Sequence, residues 1–261
     1  MKIRQLFLSD GRRSIPPAAV VLNLLLVCAV LAVVFWLSLR AIGYVFDFSF
    51  LGEVRVRLWR GFVMTLALSL CSLVLSLVLG ALCAVGQSAR VLFVRYLCSV
   101  YVKFIRGTPL MMQIYLFFYL LGTAWGIENR FVAGILILSL FEGAYISEII
   151  RGSLLSLDQT QLDAARAVGF TRRQAVVHVV LPQLVARTLP ALTGQFASII
   201  KDSSLLSLIA VIELTQTMRE ISAANFRLFE CYLVLGLLYL CLTLPVSFIS
   251  ERLERRFRYE A

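Results

Sequence analysis

Glu142, Lys201 and Asp202 stand inside stretches of otherwise apolar sequence. Ionisable groups at membrane depth are costly and mark a solute path or a partner. Glu142 lies midway along Ser139-Leu-Phe-Glu142-Gly143-Ala144-Tyr145, and Glu148 follows one to two turns later. A buried carboxylate there is either a packing group, neutral or paired, or a ligand for an ammonium or other cation moving past. Lys201 and Asp202 are expected near the middle of another run, followed by Ser203 and Ser204. Adjacent helical residues do not face each other. Lys201 therefore either pairs with a carboxylate on another helix or joins the same path.

Bond-making chemistry has little to work with. His178 is the only histidine, which excludes an H-E-x-x-H zinc site, and its surroundings read as surface. No G-x-x-x-x-G-K-[ST] or G-x-G-x-x-G is present, so nucleotide binding by those loops is excluded. Cys28, Cys71, Cys83, Cys98, Cys231 and Cys241 form no C-x-x-C and mostly lie in apolar runs, as small buried hydrophobes do. No cofactor, metal or catalytic residue is expected. A membrane-embedded enzyme would have only Glu142, Glu148 and Asp202 to use.

The elements that must hold these groups are membrane helices. Of 261 residues, 60% are hydrophobic and only 15% charged, against about 45–50% and 25% in soluble domains. Six apolar runs are each roughly long enough to span: Ala18–Leu39, Phe62–Val85, one within Pro109–Trp125 with a start as early as Val100, Phe131–Ile150, Leu189–Glu213 and Phe229–Ser250. Backbone groups in lipid must pair within the segment, so each run should be a helix. The first exceeds the 7–15 apolar residues of a signal peptide and reads as a retained span.

Lys and Arg set the orientation. Lys2, Arg4, Arg12 and Arg13, then Arg90, Arg95, Lys103 and Arg106, then the loop after the fourth run, then Arg252, Arg255, Arg256 and Arg258 fall on one side. That side should be cytoplasmic, with both termini. The basic stretch Arg40–Arg60 falls outside and reads as amphipathic and interfacial. The net charge of +10 is explained by topology, and nucleic-acid binding is not expected.

The loop 151–188 is polar but punctuated like helices. Asp158 opens one helix, Gly169 closes it, Thr171-Arg-Arg-Gln174 has the form of a capping box, and Pro182 should stop the second helix. Gly122-Thr-Ala-Trp-Gly126 fits a G-x-x-x-G contact, or equally a loop turn.

Within this loop, Gln161-Leu-Asp163-Ala164-Ala165-Arg-Ala-Val-Gly169 followed by Leu181-Pro182-Gln183 resembles the EAA loop of ABC importer permeases. Ile105-Arg106-Gly107-Thr108-Pro109-Leu110 with Gln113 resembles the RGTP segment of the polar amino-acid (histidine/glutamine/arginine) branch. Tyr145, Glu148, Arg151 and Gly152, then Lys201-Asp202-Ser203-Ser204-Leu205, Asn225-Phe226-Arg227 and Arg252 to Arg256, resemble further signatures in the same order. Thr160 stands for the usual Gly, Asp163 for Glu and Ser203 for Thr. The resemblance covers roughly 61–257.

It implies an all-α fold: a five-helix type I permease core, one extra N-terminal helix, and cytoplasmic coupling helices between spans four and five. The expected divisions are 1–60 (tail, first span, amphipathic segment), 61–257 (core) and 258–261 (tail). The implied function is uptake of polar, even cationic, amino acids across a bacterial cytoplasmic (inner) membrane. The implied partners are two ATPase subunits docked on the loop, a second permease subunit in a homo- or heterodimer, an extracytoplasmic amino-acid-binding protein, and the lipid bilayer. ATP hydrolysis would belong to the partner. An ion-gradient-driven secondary transporter is the alternative; it would explain the buried charges, but no inverted repeat is visible.

Overall fold

The computed structural model describes residues 17–257, and all elements among them are helical. Lys2, Arg4, Arg12, Arg13 and Arg258, used above for orientation, lie outside the described residues. The chain divides into two compact units between Asp47 and Phe48. The first contains α1 (Pro17–Ile42), apolar along almost its whole length, with Arg40 over the Trp36 ring in its last turn.

The second unit holds the other helices. α2 (Leu51–Gln87) includes the second apolar run but begins earlier, so Arg55, Arg57 and Arg60 ride on its first turns rather than on a separate interfacial segment. α3 (Leu92–Gly107) ends at Thr108–Pro109, and α4 (Leu110–Tyr115) continues as a π-helical stretch to Gly122. α5 (Arg130–Leu155) is capped by Asn129, whose side chain accepts from the Phe131 and Val132 amides. α6 (Gln159–Ala167) and α7 (Arg172–Ala175) form the polar hairpin. A π-helical neck, Val176–Val180, leads into α8 (Leu181–Asp202) and a 3-10 turn, Ser203–Ile209. α9 (Leu214–Asn225) and α10 (Leu228–Phe257) complete the unit.

Five stretches are long and apolar enough to cross a membrane: Ala18–Ile42, Leu51–Gln87, Arg130–Leu155, Arg172–Ile209 and Leu228–Arg256. The sixth expected span is a bent pair, α3 and α4, turned by 114°. Leu110–Gly122 alone reaches about 20 Å at a 1.5 Å rise, short of the roughly 30 Å hydrocarbon core.

Pro182 does not stop a helix. It sits in the first turn of α8, where a missing N–H is tolerated. A π-helical neck lies just before it, and helix runs on from Arg172 to Ile209.

The core forms around a close crossing of α2 and α5. α2 buries a stripe of small residues, among them Gly61, Thr65, Ser69, Ser72, Ser76 and Gly80. A Cβ on Gly80 would fall 2.6 Å from Ile146 Cγ2 and 3.0 Å from the Gly143 carbonyl; one on Gly143 would fall 3.2 Å from Leu79 Cβ. Ser139 donates across the crossing to the Ser72 carbonyl (3.3 Å). Where lipid replaces water, such close approach supplies the packing that the hydrophobic effect cannot. Two further bonds tie outer helices in: Leu214 N–H to Thr65 Oγ1 (3.0 Å) and Ser250 Oγ to the Pro190 carbonyl (2.9 Å).

Candidate functional site

The hairpin is built from local signals. Asp158 accepts from the Thr160 amide (2.9 Å) and caps α6, and that bond holds its carboxyl below the usual range. It is therefore Asp158, and not Asp163, that meets the positive end of the helix. Asp163 lies one turn in and pairs with Arg166 at 3.0 Å, both exposed. Gly169, at φ +82°, closes α6: its amide reaches the Arg166 carbonyl and the Phe170 amide the Ala165 carbonyl, each at 3.0 Å. Thr171 and Gln174 then form the full capping box of α7. Ala165 is buried, while Gln161, Ala164, Gly169, Leu181 and Pro182 are exposed.

One bond fastens this hairpin to a span, and a second ties that span to its neighbour. Gln183 Nε2 donates to Gln161 Oε1 at 2.6 Å, joining α8 to α6. Arg187 donates to Ser156 Oγ at 2.7 Å and to the Ser156 carbonyl, joining α8 to the end of α5. Neither Arg187 nor Gln183 stood out as a contact in the sequence, because each bond joins residues 22 or more apart.

The RGTP segment is a helix break with its own repairs. Pro109 disfavours helical backbone at Thr108, which is extended (φ −127°, ψ 149°). Buried Gln113 donates to the Ile105 carbonyl (2.8 Å), the Thr108 carbonyl (3.2 Å) and Thr108 Oγ1 (2.7 Å). Thr108 Oγ1 donates to the Phe104 carbonyl at 2.9 Å. The orphan carbonyls at the end of α3 thus find side-chain donors. Arg106 then meets Glu148 at 3.1 Å and lies over the Tyr145 ring at 5.4 Å, while Arg151 grips the same carboxylate at 2.7 and 2.9 Å. Tyr145, Glu148 and Arg151, one face of α5, form one junction with Arg106 from about forty residues earlier.

Glu142 is fully buried in α5. Gln195 of α8, a residue the sequence did not single out, donates to its Oε2, whereas Oε1 has no hydrogen-bond partner among the described residues. The Asp202 carboxyl is close enough to interact with it. Lys201 and Asp202 sit in the last turn of α8, where it passes into the 3-10 turn. Lys201 is exposed, and no salt bridge among the described residues includes it, so the pairing with a carboxylate on another helix is not made. Ser203 is buried and turns back on the Ile200 carbonyl (2.8 Å); Ser204 is half-buried. Toward the hairpin end, a cavity of about 650 Å³ opens between α5, α8 and α10, lined by Gly152, Ser156, Arg187, Gly194, Ser250 and Glu254. Gly122 ends the π-helical stretch and Gly126 turns a loop at φ +69°, so that pair makes no helix contact motif.

Residues 76–259 match the family described as "Binding-protein-dependent transport system inner membrane component". The chain belongs to this family. Among its relatives, the permease is 35% identical over 215 residues to the glutamine transport system permease protein GlnP of Escherichia coli (strain K12), covering 82% of this chain and 98% of that one. It is 34% identical over 201 residues to the probable glutamine ABC transporter permease protein GlnM of Bacillus subtilis (strain 168), covering 76% and 93%. A solved structure described as an amino acid ABC transporter with histidines superposes with a TM-score of 0.75 at 30% identity, over 82% of this chain and all of that one. The permease is thus a multi-pass membrane component of an amino-acid ABC importer, of the polar amino-acid kind.

Proposed function

We propose that this permease carries polar amino acids inward and is driven by a separate ATPase gripping its α6–α7 hairpin. The supporting observation is how the hairpin is made and fixed. It is rigid at both turns and presents small, exposed Ala164 on its outer face. Gln183 bonds it to the start of α8, and Arg187 bonds α8 in turn to the end of α5; these are the two helices that carry Gln195 and Glu142. A push on the hairpin therefore reaches both walls of the buried carboxylate site. The hairpin end and both termini face the cytoplasm in this reading, where the cations of α3 and α10 also gather. A second permease subunit, identical or a sister chain, completes the path, and an extracytoplasmic binding protein delivers the solute. The stretch 61–257 is the permease core, with 151–188 as the coupling loop and 1–60 as an added anchor. Glu142 lines the path and favours cationic solutes.

Reconstitution with the adjacent gene products tests the reading. Uptake should require ATP and the binding protein. Ala164→Arg should release the ATPase subunits and abolish uptake while leaving the protein monodisperse. Full uptake by that variant, or labelling of the hairpin from outside the cell, would overturn the proposal.

A further inference from the structure

α3 divides its surface into three stripes. Cys98, Tyr101, Val102 and Ile105 turn inward, with Val102 and Ile105 fully buried. Phe93, Leu97, Val100 and Phe104, spaced four, three and four apart, are exposed and apolar. Arg95, Ser99, Lys103 and Arg106 make the third stripe. At 3.6 residues per turn these faces are about 120° apart. A helix so divided lies along a membrane surface, apolar side toward acyl chains and cations toward headgroups. The 114° turn at Thr108–Pro109 fits that posture.

The cationic stripe borders a cavity of about 430 Å³, with Gln87, Ser99, Lys103, Arg106, Glu148 and Arg151 in its lining. That volume is in the range of ligand sites, roughly 300–1,000 Å³. Three cations face one carboxylate there, and both arginines already hold Glu148. Exposed Lys103 is in no salt bridge among the described residues. The site therefore favours an anion, and the apolar stripe beside it favours an anion with hydrocarbon attached. We propose that this cavity binds the phosphodiester headgroup of an anionic phospholipid, with Lys103 and Arg106 on the phosphate and the Phe93–Phe104 stripe against the acyl chains. The site stands apart from the solute path and holds whichever way this end of the bundle faces.

The test uses the full chain with its copurifying subunits in nanodiscs of phosphatidylcholine, with or without one-fifth phosphatidylglycerol. Native mass spectrometry counts retained lipid. Phosphatidylglycerol should be retained over phosphatidylcholine, and less so as salt rises. Lys103→Gln should cut its retention roughly fivefold, from about 1 kcal/mol per surface cation; Lys103→Arg should keep it. Phe104→Ser should weaken lipid retention as well. Equal retention of the two lipids, or unchanged retention in Lys103→Gln, would overturn the proposal. So would displacement of the lipid by millimolar glycerol 3-phosphate, which would make the ligand a soluble anion.

Discussion

Among the described residues Glu142 has a single side-chain donor, Gln195, and its second oxygen is buried without one. A buried polar atom left unpaired asks for an explanation, and the proposed role of Glu142 in favouring cationic solutes can be tested there. Glu142→Gln keeps the shape and removes the charge. Losing a charged hydrogen bond costs about 1.5–3 kcal/mol, so uptake of arginine or lysine should fall tenfold or more while glutamine uptake changes little. Equal losses in competitive uptake assays would make Glu142 a packing residue. Asp158 is a purely local case. Its carboxyl titrates lower in the folded chain than the ordinary value near 3.9. The cap therefore stabilises α6 fully above that value and is lost as pH falls through the lower folded one. Asp158→Ala should speed amide exchange in residues 159–162, and Asp158→Asn, another good cap, should not. These caps were legible in the sequence because partner and cap lie two or three residues apart. Gln195, 53 residues from Glu142, left no such trace.

At the scale of elements, the long apolar runs showed where spans lie but not how they end or meet. Pro182 reads as a stop in the sequence, which shows the missing N–H but not its place in the first turn of α8 behind a π-helical neck. Arg106-Gly-Thr-Pro109 was recognisable as a motif; that it is a sharp break, sealed by Gln113, follows only from the fold. The small-residue stripe of α2 was present in the sequence, yet its partner was not. Gly80→Val should clash with Ile146 and the Gly143 carbonyl. Overpacking of this kind costs about 1–3 kcal/mol and would show as a lower melting temperature in detergent. Gly236→Ala, with nothing within 4 Å, should be neutral or slightly stabilising by comparison.

Across the whole molecule, the outward faces stay apolar, as with Val74, Val78 and Leu82 on α2 and Leu237, Leu240 and Leu244 on α10. In lipid these faces contribute no drive to assemble, so cohesion rests on backbone proximity and on bonds such as Ser250 to Pro190. That cohesion is uneven. Between α2 and α5 glycine meets glycine and backbone lies on backbone, whereas α8 carries Pro190 and a cavity at Gly194 and is entered through the π-helical neck. A seam of the first kind resists shear. Paired spin labels on α2 and α5 should therefore read one sharp distance through the transport cycle, and labels pairing α8 with α2 a broad, state-dependent one. A shifting α2–α5 distance would mean the seam slips. If it holds, the two helices travel as a single plank, and the slack for opening and closing has to come from α8.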